Sequence, residues 1–375
     1  MSGTSLTEPL WSAGLMTGTV LDGNIDVAIL LTDGERILDT GPARLVPYPA
    51  GLLELLQDPL SAARAWGFEG PEPAIFAEAE ARLTDAQADA VAEVAAELDA
   101  PLGLVGFHGQ TVLHRGGTPE APGRTRQLGD GARMAARLGV PVVFDFRSAD
   151  VAAGGQGAPL APVYHAALLD RIGAGEETAV LNLGGVANGT WRGADGRLAG
   201  FDTGPANAPI NDFTMARGLG PMDRDGALAA RGRPDEDRVA AALSIPFVGR
   251  RPPKSLDRFD FGTAAADGLT DADGAATLTA ITAGAVAAAL DHLPVRPARL
   301  IVTGGGRRNP TLMRMIADRA GVAAVPGEEV GWRGDAVEAE CFAFLAARTL
   351  RGLPISFPGT TGVAAPLTGG RIARP

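Results

Sequence analysis

The chain has 375 residues, 46% of them hydrophobic, with a formal net charge of −11, 51 glycines and one cysteine. That length suits about two domains with sizeable cores, and the acidic balance argues against a nucleic-acid or anionic-membrane partner, either of which needs a basic face. A lone Cys341 excludes an intrachain disulfide framework and fits a reducing compartment.

The N-terminus, MSGTSLTEPLW, has neither the basic n-region nor the apolar h-region of a secretory leader. The alanine-rich run 275–290 is short for a bilayer and interrupted by Thr and Gly. A soluble cytoplasmic protein with no nucleic-acid or membrane partner is the expectation.

The first element is a hairpin. In GLMTGTVLDGNIDVAILL (residues 14–31), two apolar runs flank Thr17, Gly18, Thr19, Val20, Leu21, Asp22 and Gly23. A tip rich in glycine and hydroxyls offers N–H and O–H groups to phosphate oxygens. No lysine and no helix follows, as a P-loop would need. The alternative phosphate device is a hairpin whose carboxylate, here Asp22, holds Mg²⁺. Taken alone, the stretch also reads as an ordinary glycine-containing turn.

A helical pattern over 74–98 leads to a strand over 102–107 and then to GFHGQTVLH, which carries His108, Gln110 and His114. No third ligand completes a zinc set, so hydrogen bonding to a polar ligand competes with a purely structural role. Residues 114–126 read as a loop, 130–138 as a helix and 142–146 as a buried strand. That strand delivers Asp145, Arg147 and Asp150 to the glycine-rich turn Gly154, Gly155, Gln156, Gly157. Arg147 supplies a planar fork for a carboxylate or phosphate, unless it pairs with Asp150.

Further on, a strand over 178–185 ends in Gly184 and Gly185, and the next candidate strand ends at Asp202 ahead of Thr203-Gly204-Pro205. A carboxylate on a rigid turn suits a general base, or merely caps its own backbone as an Asx-turn. Asp-Thr-Gly also occurs in aspartic proteases, which need two such aspartates in a mostly β fold. Helical patterns follow over 238–243 and 275–293, separated by a loop-like 249–262. A strand over 299–306 ends in Gly304, Gly305 and Gly306, where a flat ring can approach the backbone. Helices are expected over 310–320 and 335–351, the latter with Asp335 and Glu338 spaced as a capping box and Phe342, Leu345 and Cys341 in the core.

Strands alternating with helices indicate an α/β protein with largely parallel sheets. Its small and polar residues lie just past strand ends, where open α/β sheets bind ligands. The expected division is residues 1–140, joined by the tail 364–375, and residues 141–363.

Nine stretches in order carry a resemblance over nearly the whole chain. Among them are GLMTGTVLDG, GFHGQTVLH, VVFDFRSADVAAGGQGAPLAPVYH, LNLGGVANGT, GFDTGPAN, PPKS, VTGGGRRNP and EAECFAFLAARTL. Together they resemble the anhydro-N-acetylmuramic acid kinases, of the sugar kinase–Hsp70–actin superfamily. The resemblance implies two ribonuclease-H-like (actin-like ATPase) domains with an interdomain cleft. It also implies ATP with Mg²⁺, a sugar substrate, and a homodimer as one assembly open to the chain.

The implied reaction opens the ring of 1,6-anhydro-N-acetylmuramic acid with water and phosphorylates O6. By resemblance, residues 17–23 hold the β- and γ-phosphates with Asp22 near Mg²⁺, and Gly184, Gly185 and Gly304–Gly306 seat the nucleotide. Asp202 matches the catalytic aspartate. Arg147, Glu338, Asp150, Gln156, His108, Gln110 and Asn207 face the sugar or the reacting centre. The chain departs from the family pattern at Thr17 and Val20, which occupy serine positions, at Ala206, which replaces a glycine, and over 256–259. A kinase of the same fold for another sugar, or a nucleotide-binding homologue without turnover, are the competing readings.

Overall fold

The computed structural model describes residues 8–17, 23–117, 122–256 and 260–375. The chain forms two compact units, Met1–Arg171 with Ala336–Pro375, and Ile172–Asp335.

The first unit opens with an antiparallel meander, β1 (Leu10–Met16), β2 (Asn24–Thr32) and β3 (Ile37–Pro47). Helices α1 (Leu52–Trp66) and α2 (Ile75–Ala95) lead to β4 (Leu104–Phe107). A separate hairpin of β5 (Gln110–Arg115) and β6 (Arg124–Leu128) then precedes α3 (Gly131–Leu138) and β7 (Val142–Phe144). The stretch expected as a loop over 114–126 thus supplies parts of two paired strands. Two more helices, α4 (Ser148–Ala152) and α5 (Pro162–Arg171), end this part of the chain.

The second unit begins with its own meander, β8 (Thr178–Leu183), β9 (Val186–Arg192) and β10 (Leu198–Pro205). Helices α6 (Asn207–Ala216), α7 (Glu236–Leu243), α8 (Pro246–Gly249) and α9 (Asp271–Leu290) follow. Strand β11 (Arg299–Thr303), helix α10 (Pro310–Ala320) and strand β12 (Ala323–Pro326) complete it. The chain then returns to the first unit as α11 (Val337–Leu350) and β13 (Arg371–Ala373).

The two sheets share one plan. Their orders are β13-β7-β4-β1-β2-β3 and β10-β9-β8-β11-β12. In each, an antiparallel meander contributes three strands, and two further strands join parallel to the meander's first. The same strand order is thus built twice.

The division differs from a boundary near residue 140 and a return at 364. Strand β7 pairs in parallel with β4, and β13 pairs with β7, so both belong to the first sheet. Helix α11 packs on β1, β2 and β4, which moves the return to residue 336. Helix α1 escapes the sequence pattern because Pro59 lies inside it. Helix α9 begins earlier than the alanine-rich run suggests. At 20 residues it is long and apolar enough to cross a membrane, yet 83% of its most apolar window is buried. It is a core helix enclosed by α6, α7, α10 and β10.

Helix α11 lies unusually close to its sheet. Gly14 of β1 and Gly106 of β4 are register partners. A Cβ on Gly14 would stand 1.9 Å from the Ala339 carbonyl oxygen, and one on Gly106 2.1 Å from that of Phe342. The Ser12 hydroxyl donates to the Ala343 carbonyl at 2.8 Å. The helix backbone therefore rests on bare sheet backbone. Gly106→Ala should destabilise the protein by about 3 kcal/mol or more, because the obstruction is main chain that cannot rotate away. A urea melt against wild type measures it, with Gly139→Ala, on an exposed positive-φ turn, as a milder control.

Candidate active site

In the first unit, polar groups gather just past β4 and β7. His108 follows β4 and is buried; its Nδ1 lies 2.8 Å from the Gly109 carbonyl oxygen, an acceptor, so Nδ1 carries the proton. Its Nε2 is then a lone-pair acceptor, and the Nε and Nη2 of Arg147 donate to it at 3.2 and 3.0 Å. Burial, and then the Arg147 charge, push the His108 pKa down to about 3, so the ring stays neutral. The ring packs on Phe342 of α11 at 4.5 Å between centroids.

Arg147 also donates from Nη1 to the Gly157 carbonyl at 2.7 Å. Three of the five guanidinium N–H groups are thereby engaged, and no ion pair with Asp150 forms. Burial lowers its pKa, opposed by Cys341, Asp150 and Glu338. Burial keeps the Cys341 thiol protonated, so the two carboxylates are what steady the cation. Glu338 lies exposed in the first turn of α11. The capping box expected there is absent: the helix starts at Val337 after Ala336, and Asp335 instead accepts from Arg307 at 2.8 Å and from Arg308.

Asp150 is an organiser of loops. Its fully buried carboxylate accepts from the Gly157 N–H at 2.6 Å and the Thr361 hydroxyl at 2.5 Å. Gln156 donates from Nε2 to the Gly117 carbonyl at 2.7 Å, while its own carbonyl accepts from His114 at 3.0 Å. With His114 Nδ1 on Thr125, both of its ring nitrogens face protein groups. Gln110 is buried, with its amide on the Thr111 carbonyl at 3.3 Å. A cavity of about 490 Å³ lies in this unit; His108 and Thr125 line it, whereas Arg147, Asp150, Gln156 and Gln110 do not.

At the hairpin, Gly18, Thr19, Val20, Leu21 and Asp22 lie outside the described residues. Thr17 is buried and its hydroxyl donates to the Gly109 carbonyl at 3.2 Å. Gly23 has φ +84°, a turn conformation that glycine accepts without strain. Among the described residues no group of three or more His, Cys, Asp or Glu is placed to hold a metal ion.

In the second unit, Asp202 sits on β10 at a register shift between Asp202 and Gly204. Its backbone N–H donates to the Lys254 carbonyl at 3.1 Å, and its Oδ2 accepts from the Leu256 N–H at 2.8 Å. Burial raises its pKa to about 7, opposed by the Leu256 N–H and the Lys254 charge. It is therefore not the self-capping Asx-turn: its partner lies 54 residues away.

Two glycine sets lie past β8 and β11, and space divides them. A Cβ on Gly304 would stand 2.5 Å from Asn182 Oδ1, and one on Gly306 2.6 Å from Leu183 Cβ, so protein packing alone explains them. A Cβ on Gly305 would meet nothing within 4 Å, and on Gly184 or Gly185 nothing closer than 3.5 Å. Those three leave open backbone of the kind a planar ligand can approach. Asn207, at the start of α6, donates to the Leu183 and Gly184 carbonyls at 2.9 and 2.7 Å and so fastens the turn after β8. Arg307, its side chain buried, donates to the Gly304 carbonyl at 2.9 Å while paired with Glu328 and Asp335. Neither Arg307 nor Lys254 was given a role by sequence reasoning; the signal available was the lysine in PPKS.

The family model for anhydro-N-acetylmuramic acid kinase matches residues 11–374. The chain belongs to the anhydro-N-acetylmuramic acid kinase family. It is 62% identical over 369 residues to the anhydro-N-acetylmuramic acid kinase of Rhizobium rhizogenes, covering 98% of this chain and 100% of that one. It is 63% identical over 366 residues to anhydro-N-acetylmuramic acid kinase 2 of Jannaschia sp., covering 97% of each, and 53% identical over 369 residues to the anhydro-N-acetylmuramic acid kinase of Rhizorhabdus wittichii, covering 97% of this chain and 99% of that one.

The departure from the pattern at Ala206 is absorbed by the core. Its side chain is fully buried in a cluster with Leu183, Ala187 and Ala283, so the extra methyl points into protein.

The Asp202 shift has a thermodynamic consequence. Between the ordinary carboxyl pKa of 3.8 and about 7, the folded state holds a proton that the unfolded state releases. The stability this gives is full below pH 3.8 and is lost as pH rises through 7. Asp202→Asn removes that loss while keeping an acceptor for the Leu256 N–H. The variant should gain on the order of 2 kcal/mol over wild type at pH 8, after discounting for partial exposure. Urea melts at pH 5, 6 and 8 should show the gap widening up to pH 7 and then holding constant.

Proposed function

We infer that this chain uses ATP to phosphorylate 1,6-anhydro-N-acetylmuramic acid as its ring opens, giving N-acetylmuramic acid 6-phosphate and ADP in peptidoglycan recycling. Membership of the family over the whole chain supports the activity. The observation that carries the chemistry is the Asp202 carboxyl, held on one oxygen by Leu256 with a pKa near 7. A base poised near operating pH is available in the right form and still binds the proton it removes.

In this reading Asp202 takes a proton from water, whose oxygen attacks the anomeric carbon. The C1–O6 bond breaks with its electrons going to O6, and O6 takes the γ-phosphoryl group as ADP departs. Ring opening and phosphoryl transfer help one another, since charge developing on O6 is neutralised by the new P–O bond. The transfer itself depends mostly on positioning and electrostatics. Mg²⁺, when bound beside Asp22, supplies positive charge to the phosphate oxygens.

Arg147, oriented by neutral His108 and steadied by Glu338, offers its remaining N–H groups to the sugar. Asp150, Gln156 and Gln110 shape the loops behind it, and Thr17 anchors the phosphate-binding hairpin. Gly184, Gly185 and Gly305 give the nucleotide open backbone, kept in place by Gly304, Gly306 and Asn207. An interdomain cleft that closes around both substrates, a homodimer and a cytoplasmic setting belong to the same proposal.

The test is ADP release from Mg-ATP with 1,6-anhydro-N-acetylmuramic acid, run in ¹⁸O-water beside N-acetylmuramic acid and N-acetylglucosamine. Turnover with the anhydro sugar alone, and label at the anomeric hydroxyl, is the expected result. Asp202→Asn should lower turnover by about 10³-fold with ATP binding retained. Preference for another sugar would replace this substrate, and ATP binding with silence across the panel would make the chain a non-catalytic homologue. Gly305→Ala should raise the KM for ATP several-fold without lowering the melting temperature, whereas Gly304→Ala should lower it.

A further inference from the structure

Lys254 is a buried ammonium that makes no ion pair among the described residues. The residue is 3% exposed. Nζ donates to the carbonyls of Phe247 and Val248 in α8, both at 3.1 Å. It stands 4.6 Å from the Phe247 ring centroid and 5.8 Å from that of Phe201, the residue just before Asp202. Burying an ammonium on two carbonyls and two ring faces costs free energy that a methionine or leucine would not.

What the lysine holds is the short segment around the proposed base. The Lys254 carbonyl accepts the Asp202 N–H, and two residues later the Leu256 N–H binds Asp202 Oδ2. The segment therefore grips Asp202 at its backbone and at one carboxylate oxygen, and among the described residues no donor reaches Oδ1. We propose that Lys254 is a positioning residue for Asp202, holding residues 254–256 against the carboxylate and placing a fixed positive charge beside it.

Among the described residues the charged and titratable neighbours are few. Lys254 favours the ionised Asp202, and Asp202 in turn favours the charged lysine. Arg250 opposes the lysine's charge, and His292 shares the Val248 carbonyl through Nε2 at 3.0 Å. Burial brings the Lys254 pKa down to about 8, so the lysine is still mostly cationic where Asp202 ionises.

The inference rests on reading Asp202 as the base, and the experiment separates the two. Lys254→Met and Lys254→Arg are assayed with Mg-ATP and the anhydro sugar across pH 5–9, with thermal melts alongside. Lys254→Met should lower kcat by about 10- to 100-fold, leave the KM for ATP within about twofold, and move the acidic limb of the pH profile to higher pH. Lys254→Arg keeps the charge on a wider head, so its limb should stay with wild type while kcat is intermediate. A wild-type kcat and limb in Lys254→Met, or a loss confined to the KM for ATP, overturns the proposal. If Lys254→Met does not fold, Lys254→Arg decides: reduced kcat with an unmoved limb supports the role, and a wild-type kcat refutes it. Full activity in Asp202→Asn would instead overturn the base reading itself, whatever the lysine variants do.

Discussion

The first unit depends on a helix backbone laid directly on sheet backbone. Gly14 and Gly106 sit side by side in β1 and β4, and the Ala339 and Phe342 carbonyls of α11 occupy the space their side chains would fill. Close-packed interiors transmit such a constraint, because main chain has no rotamer in which to escape. Placement of α11 then sets other positions. Phe342 supports the His108 ring, His108 orients Arg147, and the first turn of the same helix carries Glu338. Contacts between residues more than 200 positions apart thus arrange one polar cluster of the site.

The second unit solves a different problem, how to keep a carboxylate reactive inside protein. Asp202 is surrounded closely enough to raise its pKa to about 7, yet one backbone N–H and one nearby cation limit that rise. Too little burial would leave a weak base, and burial without those partners would leave a permanently neutral acid. Around it, Asn207 and Arg307 fasten the Gly184 and Gly304 turns by donating to their carbonyls. Charged and amide side chains far apart in sequence hold backbone that is itself bare, which preorganises a surface for a ligand.

Much of the α/β class was legible because buried strands and amphipathic helices leave different periods in the residues. Strands β2, β8 and β11 and helices α2, α3 and α10 lie where those patterns placed them. Misses have local reasons. Pro59 hides α1, and the hairpin of β5 and β6 was masked by its Gly, Pro and charge content. Asp335 and Glu338 matched a capping box, but buried Arg307 offered Asp335 a stronger, charged partner. The boundary near residue 140 failed because strand pairing, not composition, decides which sheet β7 joins.

By itself the sequence determined the chemistry on offer. It showed the order of the strands and their glycine-rich ends, the candidate base Asp202, the cation Arg147, and a pattern of blocks specific to one kinase family. Those properties reside in residue type and spacing along the chain. Tertiary structure alone decided their states and partners. It made His108 a neutral acceptor and Asp150 a brace for loops, turned the Ala206 methyl into the core, left Gly305 open while filling the space beside Gly304, and brought Lys254 to Asp202. The physical reason is that protonation, burial and free volume are properties of neighbours, and neighbours are assigned only when distant strands pair and helices close over them.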